Sequence, residues 1–579
     1  MITTRLTFLL HRAMVAGLLV LPGASAIAGA AQPDRPAELD VALAMSHGTD
    51  GIADGVAITY TYKPAFATAE PLTLALDTLE PALERSTDQV AALTLADDRG
   101  ALPVGASVRK QVGPKMLQTW TTTRPASGPV RVSYSMAVAP GKVAKRGPQF
   151  DLQAAAGGVS GGYVAILALP DTNTRFATHV HWKLPAGAMA VSSYGEGDYK
   201  GTFTTDELAN TLFLAGPVKS YRPPDQAKDT GLEVYGLGVA DQQLQAAGGW
   251  AATAYAAELK AFKLSGRPYR FMIRSFVGGS NASGRAAPHS FMLYVPPGAD
   301  PNTNKLHYVV AHEMVHSLAR FLEKEDVSGD WYTEGLANYV ALTVPNAVGG
   351  YTPAEYFELV KEESAGYYTN AKRALPNSAL PDVVWSGRNA WLLPYNRGTL
   401  YLADLDAKLK IHDSKVTVLD LANEMSQRID AGEPSDRQTW LDVLSKRAGP
   451  WAVSDWNAMM AGTIIYPVQG AFGSCMHATP QDVRIFDLGF ATPVRLMAGA
   501  TIGGVAKGSA ADRAGLRDGD VLAGSVDINP AASSVDLPVT LRVLRAGVPV
   551  TVTYQPAGGS QPGMVWHSTC VAIRPARVA

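Results

Sequence analysis

The chain has 579 residues, room for three or four domains at roughly 150 residues each. Hydrophobic residues make up 47% and charged residues 18%, which excludes wholesale disorder. The formal net charge of −2 gives no electrostatic reason to expect nucleic acid or an anionic membrane as partner.

Residues 1–30 read as a secretory signal peptide. Arg5 and Arg12 form a basic start, residues 13–21 a short apolar run, and Ala24-Ser25-Ala26 and Ala28-Gly29-Ala30 offer small residues for cleavage. The run is shorter than the roughly 20 apolar residues of a spanning helix. No Cys follows it to carry a lipid. The expectation is an exported protein, periplasmic or secreted, without a membrane anchor.

Residues 31–190 read as an N-terminal β-sandwich domain. Residues 56–62, 72–76, 130–138 and 163–169 are short runs rich in Val, Ile, Thr and Tyr, separated by Gly, Pro and Asp. His179 and His181 stand two apart, so a strand would place both on one face, where they could hold a metal. Val180, Trp182 and Leu184 form the apolar set, and a solvated face shared with Lys183 is the preferred reading.

Residues 191–465 read as a mixed domain that turns helical. Residues 241–262 are Ala-rich, with Leu244, Tyr255, Leu259 and Phe262 as inward candidates. Residues 270–277 and 290–295 look like strands, the second an edge strand along which an extended peptide could lie. After Pro296-Pro297 the pattern is helical to about Met460.

Within this stretch lies His312-Glu313-Met314-Val315-His316, after a helix start at Asn302-Thr303-Asn304. Side chains four apart stack on one helix face, so both imidazoles can reach one ion at about 2.0–2.1 Å. Glu313 then projects beside the metal, where it can accept a proton from water. An amphipathic helix with two structural histidines would carry the same letters. Eighteen positions after His316, Glu334 stands in Trp331-Tyr332-Thr333-Glu334-Gly335. Thr333 is a good N-cap, so Glu334 would open a second helix and fold back as third ligand, leaving a fourth position open. Asn338, one turn on, could orient a ligand imidazole; a plain surface amide is the simpler alternative.

H-E-x-x-H followed by W-x-x-E-G resembles the gluzincins, zinc metallopeptidases with a Glu ligand on the second helix. Together with the flanking domains, the chain resembles the glycyl aminopeptidase family. That resemblance implies a thermolysin-like mixed α/β plus helical catalytic domain and one catalytic Zn2+ held by His312, His316 and Glu334. Pro394-Tyr395-Asn396-Arg397-Gly398 is similar to the P-Y-x-K-G element of related aminopeptidases, with Arg for Lys. By that resemblance Tyr395 would stabilise the oxyanion. These aminopeptidases carry an acidic residue just before the zinc helix that holds the substrate's amino group. Residues 278–290 contain no Asp or Glu; His289 is their one imidazole. The Glu334 spacing is also one residue shorter than is common among such enzymes.

Only two cysteines exist, Cys475 and Cys570, and one disulfide is the simple reading. His477 and His567 lie close by, so a zinc site is the alternative, although the spacings match no common structural zinc pattern. Residues 461–480 read as a linker. Residues 480–575 read as a further domain in which short strands return. Asp487-Leu488-Gly489-Phe490 resembles the carboxylate-binding loop of PDZ domains, and residues 508–522 are similar to the helix-and-turn stretch of bacterial ones. That resemblance implies a groove able to take a peptide C-terminus; packing on the enzyme is the alternative.

The overall expectation is a multidomain α+β protein, acting as an exported zinc peptidase on peptides or proteins, aminopeptidase-like or an endopeptidase. Its rivals are a catalytically weak scaffold that binds peptides through the PDZ domain, and a zinc hydrolase of a non-peptide bond.

Overall fold

The computed structural model describes residues 36–49, 52–66, 69–77, 90–112, 115–138, 151–172, 174–222, 230–275, 282–323, 325–412, 415–491 and 496–570. The signal-peptide reading of residues 1–30 lies outside them. The described chain is a multidomain α+β structure that divides into two compact units. Among the described residues, no helix is long and apolar enough to cross a membrane.

The first unit comprises residues up to 222, 233–245 and 268–300. Its largest sheet has seven strands, ordered Tyr199–Phe203, Phe176–Lys183, Ala37–His47, Ala53–Lys63, Val130–Ala137, Val90–Asp97 and Gly100–Ala101. Period-two alternation builds it: Leu39, Val41 and Leu43 are buried, while Glu38 and Asp40 face outward. Leu74, Leu76 and Trp120 of a four-stranded sheet join the same core, so the two sheets share one apolar layer. His179 and His181 do share the outward face of their strand, around the fully buried Val180.

A five-stranded sheet of this unit runs Lys219–Tyr221, Leu232–Leu237, Tyr269–Ser275, Ser290–Val295 and Ser283–Ala287. Ser290–Val295 is therefore an interior strand, not the expected edge. It pairs in parallel with Tyr269–Ser275 and antiparallel with Ser283–Ala287, which is the edge. All six of its residues are buried. Such an unbroken apolar run is what a strand covered on both faces needs, and the sequence carried that sign. His289 sits in the tight turn before it, with φ of 54°.

The second unit comprises residues 223–232, 246–267 and 301 onward. Its long helices are α1 (Asp241–Ala261, of which residues 246–261 belong here), α2 (Asn304–Leu318), α3 (Asp330–Ala347), α4 (Pro353–Tyr368), α5 (Leu393–His412), α6 (Val418–Asp430), α7 (Arg437–Ala448) and α8 (Pro450–Met460). The four residues expected to face inward around α1, Leu244, Tyr255, Leu259 and Phe262, are all buried. Thr303 caps α2 as expected, its hydroxyl accepting the Leu306 N–H at 3.3 Å. Thr333 does not cap α3. Asp326 accepts the Ser328 N–H at 2.8 Å and starts a 3-10 turn, Val327–Gly329, that runs directly into α3. The helix thus begins three residues before Thr333.

The end of the chain forms a ribbon, Met476–Phe486 against Ala557–Ser568, and a small β-structure with its own core. That core includes Phe486, Leu488, Phe490, Leu516, Leu541 and Val543. Cys475 and Cys570 are joined as a disulfide at the ribbon's open end, their Cα atoms 5.5 Å apart. Within the same unit the ribbon packs on α4: Trp566 Nε1 donates to Ser364 Oγ at 2.8 Å and Gln561 Nε2 to the Tyr368 carbonyl at 2.6 Å. The Phe486 N–H donates to the Thr369 carbonyl at 2.8 Å.

Candidate metal centre

Helix α2 points His312 and His316 from one face, and their Nε2 atoms lie 3.1 Å apart. Helix α3 brings Glu334 to the same point. Its Oε2 is 3.3 Å from His312 Nε2 and 3.5 Å from His316 Nε2. Three potential ligand atoms from two consecutive helices therefore converge, as the spacing predicted. His312 and Glu334 are only 8% and 5% exposed.

Burial opposes a charge on Glu334, but the two adjacent imidazoles outweigh it and hold the carboxyl well below the usual range. Burial likewise opposes a charge on His312; the Glu334 and Glu313 carboxylates overcome it and raise its pKa. The pocket thus holds an ionised carboxylate and calls for positive charge. Glu334 Oε2 is buried between the two imidazoles, 3.3 and 3.5 Å from their Nε2 atoms. Two imidazole nitrogens and a carboxylate oxygen around such an atom fit zinc.

The surrounding shell is built from α2, α3, α4 and α5. Asn338 Oδ1 lies 2.6 Å from His312 Nδ1. An Asn carbonyl oxygen can only accept, so Nδ1 carries the proton and Nε2 would present its lone pair to an ion held there. Asn338 Nδ2 donates to Glu363 Oε2 at 3.3 Å, and Asn396 Nδ2 donates to the same oxygen at 2.8 Å. Tyr308 donates its hydroxyl to Glu363 Oε1 at 3.1 Å. Burial raises the Glu363 pKa, with these donors from Asn396 and Tyr308 opposing.

Sequence reasoning found Asn338 and missed Glu363, Asn396 and Tyr308. A signal for Glu363 existed. On α4 it follows Tyr356, Leu359 and Val360 and precedes Tyr367 at helical spacing, all four buried, so a carboxylate occupies the apolar face.

Glu313 is half-buried beside His312, close enough for its charge to act on His312 and Tyr395. Tyr395, in the first turn of α5, stacks near-parallel on His312 with ring centroids 6.1 Å apart. Burial and the Glu334 carboxylate push its pKa well above the ordinary phenol, so it remains a donor. Arg397, where the resembled element has Lys, is fully buried and donates to the Arg373 and Leu375 carbonyls at 2.7 Å each and to Asn377. It closes the segment before α5.

The histidines near the disulfide are otherwise engaged: His477 Nδ1 lies 2.7 Å from Gln469 Nε2, and His567 Nε2 3.0 Å from Thr479 Oγ1. With both sulfurs in the cystine, a zinc site there is ruled out in this state.

No protein-family model and no curated protein matches the chain. Among solved structures it is similar to an aminopeptidase N family protein from Idiomarina loihiensis, 14% identical, covering 92% of this chain and 98% of that one with a TM-score of 0.65. Also similar are an M1 zinc metallopeptidase from Deinococcus radiodurans, 16% identical over 75% of this chain and 97% of that one (TM-score 0.41), and native yeast LTA4 hydrolase, 14% identical over 75% and 68% (TM-score 0.42). Over nearly its whole length, then, the chain shares its fold with an aminopeptidase N family protein.

Proposed function

We propose that this chain is an exported, zinc-dependent peptidase of aminopeptidase type. The observation that carries the proposal is the convergence of His312, His316 and Glu334, with the Glu334 oxygen buried between the two imidazoles. The fold shared with an aminopeptidase N family protein supports the substrate class.

When bound, zinc supplies Lewis acidity, polarising the scissile carbonyl and lowering a water pKa toward about 7. Glu313 accepts the attacking water's proton and passes it to the leaving amine. Tyr395 donates to the oxyanion as it forms. Asn338, held by Glu363, fixes the ring and tautomer of His312. Residues 282–290 offer no acid for the substrate's amino group, and residues 276–281 lie outside the described structure.

The C-terminal domain is proposed to be a PDZ domain that braces α4. The Gly489 N–H of its carboxylate-loop sequence already donates to Asp487 Oδ1 at 2.8 Å, which favours bracing over capture of a peptide C-terminus.

Turnover of a peptide library with free and with N-acetylated ends, each with and without chelator, tests the reading. Cleavage of free ends that stops with chelator is expected. Equal cleavage of both sets makes it an endopeptidase, and no turnover by the zinc-loaded chain leaves the scaffold reading.

A further inference from the structure

The sheet of the first unit carries a second cluster of metal-binding side chains. Strands Ala37–His47 and Phe176–Lys183 pair in parallel, with Asp40 opposite His179 and Ala42 opposite His181. Opposite residues and residues two apart share a face, so Asp40, His179 and His181 emerge together. His181 Nδ1 lies 3.4 Å from Asp40 Oδ1, and His179 Nδ1 lies 3.9 Å from Asp40 Oδ2. One potential ligand atom from each lies within 4.8 Å of the other two.

A solvated strand face does not account for this arrangement. The two imidazole rings crowd to 5.2 Å between centroids, and His179 and His181 are only 33% and 27% exposed. His181 Nδ1 is cut off from solvent and makes no hydrogen bond, although it faces a carboxylate. An unsolvated nitrogen without a hydrogen bond is costly, and a shared cation removes that cost. The neighbouring charges permit one. Glu38 is paired with Lys63 at 2.7 Å, and Lys200, opposite His179, is exposed and can keep its ammonium in water. Asp40 is itself 59% exposed, which leaves an entry path.

We propose that Asp40, His179 and His181 form a second divalent transition-metal site, which clips the strand Ala37–His47 to the strand Phe176–Lys183. Two imidazoles and one carboxylate select zinc, copper, nickel or cobalt over magnesium or calcium. The ligands join segments about 140 residues apart, and an ion bound only in the folded state stabilises that long closure by mass action. The site is structural and independent of the peptidase reading.

The test is a metal count on the full chain after dialysis against buffered micromolar zinc. Two equivalents are expected for the unaltered chain, and one each for His179→Ala/His181→Ala and for His312→Ala/His316→Ala. In the latter background, zinc should raise Tm, and adding His181→Ala should abolish the rise. His179→Ala/His181→Ala should keep its peptide hydrolysis. Should either double variant fail to fold, the near-isosteric Asp40→Asn decides against the unaltered chain: a fall from two equivalents toward one supports the site, an unchanged count overturns it. A single equivalent in the unaltered chain that the His179→Ala/His181→Ala chain retains overturns it outright.

Discussion

Gly335 of α3 and Gly398 of α5 face each other where the two helices cross. A methyl group on Gly398 would come within 2.7 Å of Gly335 Cα and would overlap the Trp331 carbonyl. Both motif glycines are thereby explained: each follows a functional element, Glu334 in one helix and Tyr395-Asn396-Arg397 in the other, and the contact sets their separation. Gly398→Ala should force the helices apart at a cost of about 1–3 kcal/mol. Urea unfolding of the zinc-loaded chain measures it, and hydrolysis should fall more than stability alone accounts for, because Glu334 moves with α3.

Removing the orienting shell should weaken metal binding without touching a ligand. Asn338→Ala frees the His312 ring and tautomer, and Glu363→Gln replaces a carboxylate that accepts three hydrogen bonds with a neutral amide that accepts through one oxygen only. Each should lower zinc affinity by about 10–100-fold. Competition against a chromophoric chelator reads this directly; unchanged affinity in both variants would remove the shell from the account.

Tyr395→Phe keeps the stacking on His312 and deletes the hydroxyl. Loss of one oxyanion donor should lower kcat by about 10²–10³-fold, with KM and zinc content little changed. A variant with normal kcat would make Tyr395 a packing residue.

The Cys475–Cys570 bond closes a segment with a sequence separation of 95 at the end of the ribbon that packs on α4. In the chain-entropy model a loop of that length is worth about 4–5 kcal/mol. Unfolding of the Cys475→Ser/Cys570→Ser chain against the unaltered one, without reductant, should show a loss of that order.

The convergence of His312, His316 and Glu334 was legible because a strict physical spacing writes it: i and i+4 on α2, then a carboxylate early in the next helix. The start of that next helix was not, because Asp326 and a 3-10 turn compete with Thr333 for it, and both read as good caps. The strand Ser290–Val295 was found but misplaced in its sheet, since the pairing partner Ser283–Ala287 is a weak Ser-Gly-Arg-Ala-Ala run with little strand character. Glu363 hid in the charged run Lys361-Glu362-Glu363, and only its register with Tyr356, Val360 and Tyr367 separates it from its solvated neighbours.

His312, His316 and Glu334 are proposed to hold a zinc ion beside Glu313 as proton acceptor. The most direct test of this is peptide turnover by Glu313→Gln, measured beside the zinc content of the same sample. The expected result is an unchanged zinc content with turnover reduced by about 10²–10⁴-fold. A Glu313→Gln chain that keeps its zinc and turns over at the rate of the unaltered chain would contradict it.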